Sequence, residues 1–264
     1  VSIKEITQET DDTKTIHFWH PIHAELTYQS GQFLTLLFDI EGQKVRRSYS
    51  LSSSPKTDTS PAISVKRIPG GLVSNYICDT LKVGDSIEIM EAMGNFTVKP
   101  DATATKTYVF IGAGSGITPL FSMIKTLLHS EPQSRMYLIY GSRNEQQIIF
   151  KKALDELEHS FSDRFKVVHV ISQSGPTWVG YKGRINQASI VFYLKQELGI
   201  AIPEAHYYIC GPGQMMQEVK NSLAMFEVPE SQVHQELFSS NSSPDVEQAE
   251  EDGSLKTQTV TLTY

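Results

Sequence analysis

An apolar strand that breaks into three alternating glycines and then restarts as a helix constrains this sequence more than any other feature. Residues 108–120 read YVFIGAGSGITPL, and the first four are typical of a buried parallel strand. Gly112, Gly114 and Gly116 allow the backbone to turn sharply and approach a ligand, while the following helix directs unpaired N–H groups at the same place. The turn therefore suits a bound phosphate. The alternative is a glycine-rich junction that binds nothing.

The spacing of these glycines argues against a standard dinucleotide fold. The pattern is G-x-G-x-G-x-x-P, and Ile117 stands where the G-x-G-x-x-G fingerprint has its last glycine. Pro119 fits the first turn of a helix, where its missing N–H would have no partner anyway. A plain Rossmann dehydrogenase is therefore disfavoured.

Composition excludes several broad classes of function. The chain has 264 residues, enough for two domains, and its formal net charge of −7 argues against a general nucleic-acid or anionic-membrane binder. We find no apolar run of the ~20 residues that a membrane helix needs and no signal-peptide pattern, so a cytoplasmic location is expected. The two cysteines, Cys78 and Cys210, are too few for a four-thiolate zinc or iron–sulfur site. No metal site is predicted within this chain.

Hydrophobic periodicity divides the chain into two halves. The first half predicts one helix over 72–80 and short strands at 3–6, 15–19, 33–40, 46–50, 63–68 and 86–90. The second half predicts strands at 108–111, 136–140, 166–171, 206–210 and 233–238, alternating with helices at 120–129, 145–159, 186–198 and 215–226. We therefore expect an all-β antiparallel barrel over residues 1–100, followed by an α/β parallel-sheet domain over residues 106–238.

The residues after position 238 have a different composition. Residues 239–256, SSNSSPDVEQAEEDGSLK, are acidic and rich in serine, which predicts a flexible linker. Residues 257–264, TQTVTLTY, alternate as a strand does, but a single strand is not stable alone. Either they pair with an existing sheet edge or they are the first strand of a missing domain that continues beyond Tyr264, and the charged linker before them favours the missing domain.

A guanidinium, a phenol and hydroxyl groups end one strand of the predicted barrel. Arg47 could bind a pyrophosphate bidentately, and Tyr49 could stack on a flat ring. The alternative is an ordinary strand edge with a cross-strand tyrosine.

Three motifs in order resemble the ferredoxin–NADP reductase superfamily. They are R-x-Y-S at residues 47–50, G-x-G-x-G-x-x-P at residues 112–119, and the Cys210-Gly211-Pro212 turn after a later strand. The resemblance covers residues 1–238. In detail the chain is similar to the reductases of oxygenase systems, those of the phenylacetyl-CoA epoxygenase type among them. Such reductases consist of a flavin domain, a nucleotide domain and a C-terminal plant-type ferredoxin domain.

The resemblance implies two groups of binding residues. Those expected on FAD are Arg47, Tyr49, Ser50, Lys66, Gly71, Leu72, Val73, Ser74 and Phe238. Those expected on NADP are Gly112, Gly114, Gly116, Thr118, Ser142, Arg143, Arg184, Cys210, Gly211 and Pro212. The residues expected at the reacting atoms are Ser50, Cys210, Glu236 and Phe238.

Several of these positions also have a purely structural interpretation. Ser74 could cap a helix, Cys210 could be a small buried hydrophobe, and Phe238 could fill the domain interface. Phe238 also stands where plant-type members have tyrosine. Arg184 could contact a phosphate or be a solvated loop charge.

The coenzyme preference rests on the end of the second α/β strand. Ser142 and Arg143 follow that strand, where an acidic residue would accept the ribose 2′-hydroxyl of NAD. A hydroxyl and a guanidinium favour the 2′-phosphate of NADP instead.

Together, the resemblance implies an FAD-dependent NAD(P)H oxidoreductase. Electrons would pass from NADPH through FAD to a [2Fe–2S] ferredoxin-type domain beyond Tyr264, and from there to an oxygenase component. Two alternatives remain. One is the reductase of a flavohaemoglobin-like or hybrid-cluster-protein system, and the other is a non-catalytic flavin-binding module.

Overall fold

The N-terminal half of the protein contains two antiparallel sheets. In this computed structural model, which describes residues 1–20 and 25–238, they have three strands each, in the orders β1-β2-β5 and β4-β3-β6. The strands are β1 Ile3–Thr10, β2 Thr13–Phe18, β3 Phe33–Ile40, β4 Gln43–Ser50, β5 Ala62–Lys66 and β6 Glu88–Ile89. A bridge between Leu51 and Ile63 joins the two sheets. The antiparallel β architecture expected for residues 1–100 is thereby confirmed.

One apolar core lies between these sheets and a single helix. Ile16, Leu36 and Ile63 contribute fully buried side chains from different strands. The helix α1 Leu72–Asp79 adds Val73 and Ile77 to the same core. The opposite face of α1 is nearer the surface, where the side chain of Leu72 is 39% exposed.

The C-terminal half is a six-stranded parallel sheet with helices on both faces. Its order is β10-β9-β8-β7-β11-β12, so the expected α/β architecture is confirmed. The strands are β7 Thr107–Ala113, β8 Arg135–Ser142, β9 Phe165–Ile171, β10 Tyr181–Lys182, β11 His206–Cys210 and β12 Val233–Glu236. The helices are α2 Ile117–Ser130, α3 Lys151–Ser160, α4 Gln187–Phe192 and α5 Gly213–Met225. The strand order reverses beside β7, and ligands of open parallel sheets bind at that reversal.

Several element boundaries differ from the sequence prediction for identifiable reasons. The helix expected at 145–159 begins only at Lys151, because Phe150 has a positive φ of 60° that interrupts the helical path. Residues Glu145–Gln147 form a separate 3₁₀ turn. The strand expected at 86–90 is reduced to Glu88–Ile89, and the short strand β10 was not predicted. The linker and strand expected over residues 239–264 lie outside the described residues.

A buried carboxylate holds the segment that connects the two halves. Glu131, after α2, accepts hydrogen bonds from the Tyr108 hydroxyl at 3.1 Å and the Ser134 hydroxyl at 2.7 Å. It also accepts one from the Asp101 backbone N–H at 3.0 Å. A buried carboxylate is stable when its oxygens are hydrogen-bonded, so this arrangement fixes the connecting segment against α2 and β7.

Two further properties concern the described ranges. None of their helices has both the length and the apolar character required to cross a membrane. Nor do their His, Cys, Asp and Glu side chains form a group of three that could hold a metal ion.

Candidate functional site

A cleft of about 750 Å³ opens at the carboxyl edge of the parallel sheet. One wall comes from the turn after β7, the end of β8 and the start of α5. The opposite wall comes from the N-terminal half, through Asp12, Lys66, Arg67 and Pro69. The cleft therefore lies between the two halves, at the place where the strand order reverses.

Gly114 and Gly116, in the turn after β7, meet different steric demands. Gly114 has a positive φ of 57° and open space around its missing Cβ. A Cβ on Gly116 would lie 2.2 Å from the Cys210 carbonyl oxygen, so only glycine allows α2 to begin this close to β11. The Gly114 carbonyl also accepts a hydrogen bond of 3.0 Å from the Tyr140 hydroxyl. The turn is thus held in one conformation beside the cleft.

The predicted contact residue Thr118 serves the turn itself. Its buried hydroxyl donates a hydrogen bond of 2.7 Å to the Ser115 carbonyl. A direct contact between Thr118 and the coenzyme stays a prediction.

The lining of the cleft includes a hydroxyl without a partner in the described residues and two cations. Ser142 Oγ is buried and has no hydrogen-bond partner among residues 1–20 and 25–238. Arg143 and Arg184 are exposed and also line the cleft. Over the same described ranges neither guanidinium has a hydrogen bond or an ion pair. A buried hydroxyl without a partner is costly, and a ligand oxygen here would satisfy it.

The cleft wall from the N-terminal half includes one residue that the sequence assigned to FAD. Lys66 lies at this wall, and its ammonium group is 3.4 Å from Asp12 Oδ2. Arg67 lies beside it in a bidentate ion pair with Asp79. Sequence reasoning missed Asp12 and Arg67, because neither belongs to a recognisable motif and only the packing of the two halves brings them to the cleft.

The R-x-Y-S motif ends β4 at a contact between the halves. Ser50 is buried, and its hydroxyl donates a hydrogen bond of 3.4 Å to Glu236 Oε2 at the end of β12. Tyr49 is half-buried, and this burial raises the pKa of its phenol. Arg47 is exposed, and its Nη1 donates a hydrogen bond of 2.8 Å to the Arg46 carbonyl. The predicted flavin and nicotinamide residues thus meet through Ser50 and Glu236.

Cys210 and Glu236 face each other on adjacent strands and have perturbed pKa values. They are register partners between β11 and β12. Burial, and secondarily the Glu236 charge, raises the pKa of the Cys210 thiol, so the thiol is protonated at neutral pH. Burial also raises the pKa of Glu236 to about 7, although the hydrogen bond from Ser50 lowers it. Glu236 therefore changes charge near neutral pH.

The predicted second flavin segment surrounds the start of α1. Ser74 is buried and accepts a hydrogen bond of 3.1 Å from the Ile68 backbone N–H. A Cβ on Gly71 would lie 2.7 Å from Ser74 Oγ, so glycine is needed for this close approach. Among the residues that the structure describes, no side chain caps the α1 N-terminus, which leaves the N–H groups of Leu72 and Val73 for another partner.

The last described residues follow β12 near the surface. The side chain of Phe238 is 39% exposed and that of Leu237 is 60% exposed. A Cβ on Gly213 would lie 3.7 Å from Leu237 Cδ1, which places this segment beside the start of α5. Contact between Phe238 and a flavin ring stays a prediction.

Two family models match the chain. Residues 1–98 match the family model described as the oxidoreductase FAD-binding domain, and residues 110–221 match that of the oxidoreductase NAD-binding domain.

Named relatives cover almost all of the chain. It is 35% identical over 249 residues to the ferredoxin reductase component of 3-ketosteroid-9-alpha-monooxygenase from Mycobacterium tuberculosis, covering 91% of this chain and 65% of that protein. It is 32% identical over 244 residues to a subunit of 1,2-phenylacetyl-CoA epoxidase from Escherichia coli, covering 90% of this chain and 67% of that protein. The chain thus spans about two thirds of the length of these relatives.

A solved structure supports the same fold. It is the FAD/NAD-binding domain of nitric oxide dioxygenase from Vibrio cholerae, at 25% identity and a TM-score of 0.77, with 90% of this chain and 97% of that one covered. Fold, motifs and relatives agree: this chain belongs to the ferredoxin–NADP reductase superfamily, with an FAD-binding and an NAD-binding oxidoreductase domain.

Proposed function

We propose that this chain transfers electrons from NADPH through FAD toward an iron–sulfur domain that serves an oxygenase. The observation that carries the proposal is the hydrogen bond between Ser50 and Glu236. It joins the end of the flavin motif to the strand beside Cys210, so groups bound in the two halves would meet there. FAD bound there supplies the step between a two-electron donor and one-electron acceptors.

The residues around Ser50 suit a flavin. Arg47 offers a guanidinium for the pyrophosphate, Tyr49 offers a half-buried ring for stacking, and Ser50 offers a hydroxyl beside the reacting position. The protonated thiol of Cys210 is small and neutral, so it can border a nicotinamide without repelling or attacking it. These side chains orient the two rings and exclude water, and none of them forms a covalent intermediate.

NADPH is proposed as the coenzyme because of three polar side chains that line the cleft. The Ser142 hydroxyl lacks a partner within the described ranges, and the exposed guanidinium groups of Arg143 and Arg184 line the same cleft. A 2′-phosphate would accept hydrogen bonds from all three groups.

The acceptor is proposed from the relatives. The M. tuberculosis protein is named as a ferredoxin reductase component, and the E. coli protein is named as part of an epoxidase. A [2Fe–2S] ferredoxin-type domain and an oxygenase component are therefore the proposed partners. The second candidate is the reductase of a flavohaemoglobin-like system. It is favoured by the V. cholerae structure, which is 25% identical to this chain and is described as a flavohaem-like FAD/NAD-binding domain.

Steady-state reduction of ferricyanide or cytochrome c tests the proposed activity. We expect turnover by the flavin-loaded chain with NADPH. If the loaded chain turned over with neither NADPH nor NADH, a non-catalytic flavin-binding module would be the better description.

The bound flavin is expected to be FAD and to be held noncovalently. The uncapped start of α1 and the hydroxyl of Ser74 offer a site for a pyrophosphate, which FMN lacks. Mass spectrometry of the cofactor released by heat identifies it, and titration of the apoprotein compares the two affinities. FMN as the sole cofactor, or equal affinity for FMN and FAD, would refute this role of residues 66–74.

The rate of flavin reduction by NADPH is expected to fall as the pH rises through about 7. Below that pH Glu236 is protonated, and above it a carboxylate lies beside the place where negative charge accumulates on reduction. Stopped-flow measurement from pH ~5.5 to ~8.5 should show one step in the wild type and none in Glu236→Gln. The matched control is Glu230→Gln, an exposed acid whose removal should leave the step in place. A step of the same size in Glu236→Gln would assign the titration to another group.

A further inference from the structure

Buried hydroxyl groups join helix α2 to the loop that follows β4. Ser122 donates a hydrogen bond of 2.5 Å to the Ser53 carbonyl, and the hydroxyls of Thr126 and Ser54 are 2.7 Å apart. All four side chains are almost completely buried. These bonds connect the nucleotide half directly to the flavin half, and none of the four residues is among those predicted to bind FAD or NADP.

An ion pair strengthens the same connection. Lys125 of α2 is paired with Asp58, and its ammonium group also lies 4.5 Å from the centre of the Phe121 ring. Asp58 Oδ2 accepts a second hydrogen bond, of 2.8 Å, from the Ser54 backbone N–H. The carboxylate therefore links α2 to the backbone of the loop. We refer to the bonds between α2 and residues 53–58 as the helix–loop contact.

Each side of the helix–loop contact lies close in sequence to one of the two candidate binding sites. Ser53 comes three residues after Ser50, which ends the flavin motif. Ser122 comes five residues after Ile117, the first residue of α2 beyond the glycine turn, or about 7.5 Å along the helix axis. A displacement of α2 along the loop would therefore change the separation between coenzyme and flavin directly.

Hydroxyl groups are suited to preventing such a displacement. Apolar side chains would fill this interface without any desolvation cost, but they are compatible with several positions of α2 along the loop. A hydrogen bond requires one distance and one direction, so paired hydroxyls select a single position. A further hydroxyl contact, between Thr126 and Ser30, extends this restraint to the next loop. There Gly31, with a positive φ of 98°, provides the space that the Met123 side chain occupies.

We propose that the helix–loop contact positions the nicotinamide relative to the flavin for hydride transfer. Ser122, Lys125 and Thr126 are positioning residues in this account, because they act through the placement of α2. The inference rests on the proposed function, since it concerns the rate at which NADPH reduces the flavin. Loss of the contact would slow that reduction and would leave the binding of FAD and NADP⁺ intact.

The test compares Thr126→Val with Thr126→Ser in the flavin-loaded chain. Valine keeps the size and branching of threonine and removes the hydroxyl, whereas serine retains it. Stopped-flow reduction by NADPH should be about tenfold slower in Thr126→Val and close to the wild-type rate in Thr126→Ser. The primary deuterium isotope effect should rise in Thr126→Val, because hydride transfer becomes more strongly rate-limiting. Ser130→Ala, on the same helix and outside the contact, is the control and should behave as the wild type.

Two measurements separate positioning from loss of structure. Reduction of the flavin by dithionite does not need the coenzyme, so its rate should be equal in all the variants. The dissociation constants of FAD and NADP⁺ should also stay unchanged. Ser122→Ala provides a second removal of one hydroxyl if Thr126→Val does not fold.

The outcomes also separate this inference from the proposed function. Wild-type protein that NADPH does not reduce would contradict the proposed function itself. A reducible wild type combined with unimpaired Thr126→Val and Ser122→Ala would refute positioning alone. Equal slowing of the NADPH and dithionite reactions would also refute it, since general destabilisation would then account for the effect.

Discussion

In the Gly116→Ala protein, kcat/KM for NADPH is expected to fall by at least about a hundredfold. The new methyl carbon would lie 2.2 Å from the Cys210 carbonyl oxygen, 2.6 Å from its carbonyl carbon and 2.9 Å from the Gly211 nitrogen. All three are backbone atoms, so the side chains around them cannot relieve the overlap. The start of α2 and the end of β11 must separate by about 1 Å, and a misplacement of that size is sufficient for the predicted loss.

Gly213→Ala is the matched control for this substitution. Its added methyl would lie 3.7 Å from Leu237 Cδ1, an ordinary van der Waals distance, and Gly213 belongs to a helix in which alanine is favoured. Steady-state kinetics with ferricyanide, together with the FAD content of each protein, distinguishes the two variants. A Gly116→Ala protein with wild-type kcat/KM would show that the turn does not set the position of the coenzyme.

In the Arg143→Ala protein, kcat/KM for NADPH is expected to fall by about tenfold to a hundredfold, whereas kcat/KM for NADH should be unchanged. A guanidinium contact to a phosphate contributes about 1.5 to 3 kcal/mol, and only NADPH has the 2′-phosphate. Arg143 is suited to this role because it lines the cleft beside Ser142 and its guanidinium has no partner in the described residues.

Arg135→Ala provides the control, since Arg135 is exposed at the opposite end of the same strand, β8. It should leave both kcat/KM values unchanged. Equal losses with NADPH and NADH in Arg143→Ala would mean that Arg143 contacts a group common to both coenzymes. They would remove the reason for preferring NADPH.

The parts of the fold that the sequence predicted well are those specified by local pattern. The run from Tyr108 to Ile111 and the three glycines after it specify a buried strand, a sharp turn and a helix, because apolar periodicity and the absence of Cβ atoms act over a few residues. Phe150 has a positive φ, and α3 therefore begins later than predicted. Local pattern could not reveal this, because phenylalanine is not a residue type that favours a positive φ. Strand β10 was missed because two residues show no periodicity.

The site was predicted unevenly for a related reason. Ser142 and Arg143 follow a predicted strand, so their approach to the cleft could be inferred from topology. Asp12 and Arg67 reach the same cleft only through the packing of one half against the other, which no local pattern encodes. The hydrogen bond from Ile68 to Ser74 was also unforeseen, because it depends on the path of the intervening loop.

The hydrogen bonds of Glu131 determine where two members of this family could exchange halves. A crossover at residue 100 would keep Glu131, Tyr108 and Ser134 from one parent, and the Asp101 donor is a backbone N–H that any residue except proline provides. A crossover a few residues later, beyond Tyr108, would take Glu131 from one parent and the residue at position 108, which donates to it, from the other. Recombinant reductases joined before the connecting segment should therefore fold more often than those joined within β7.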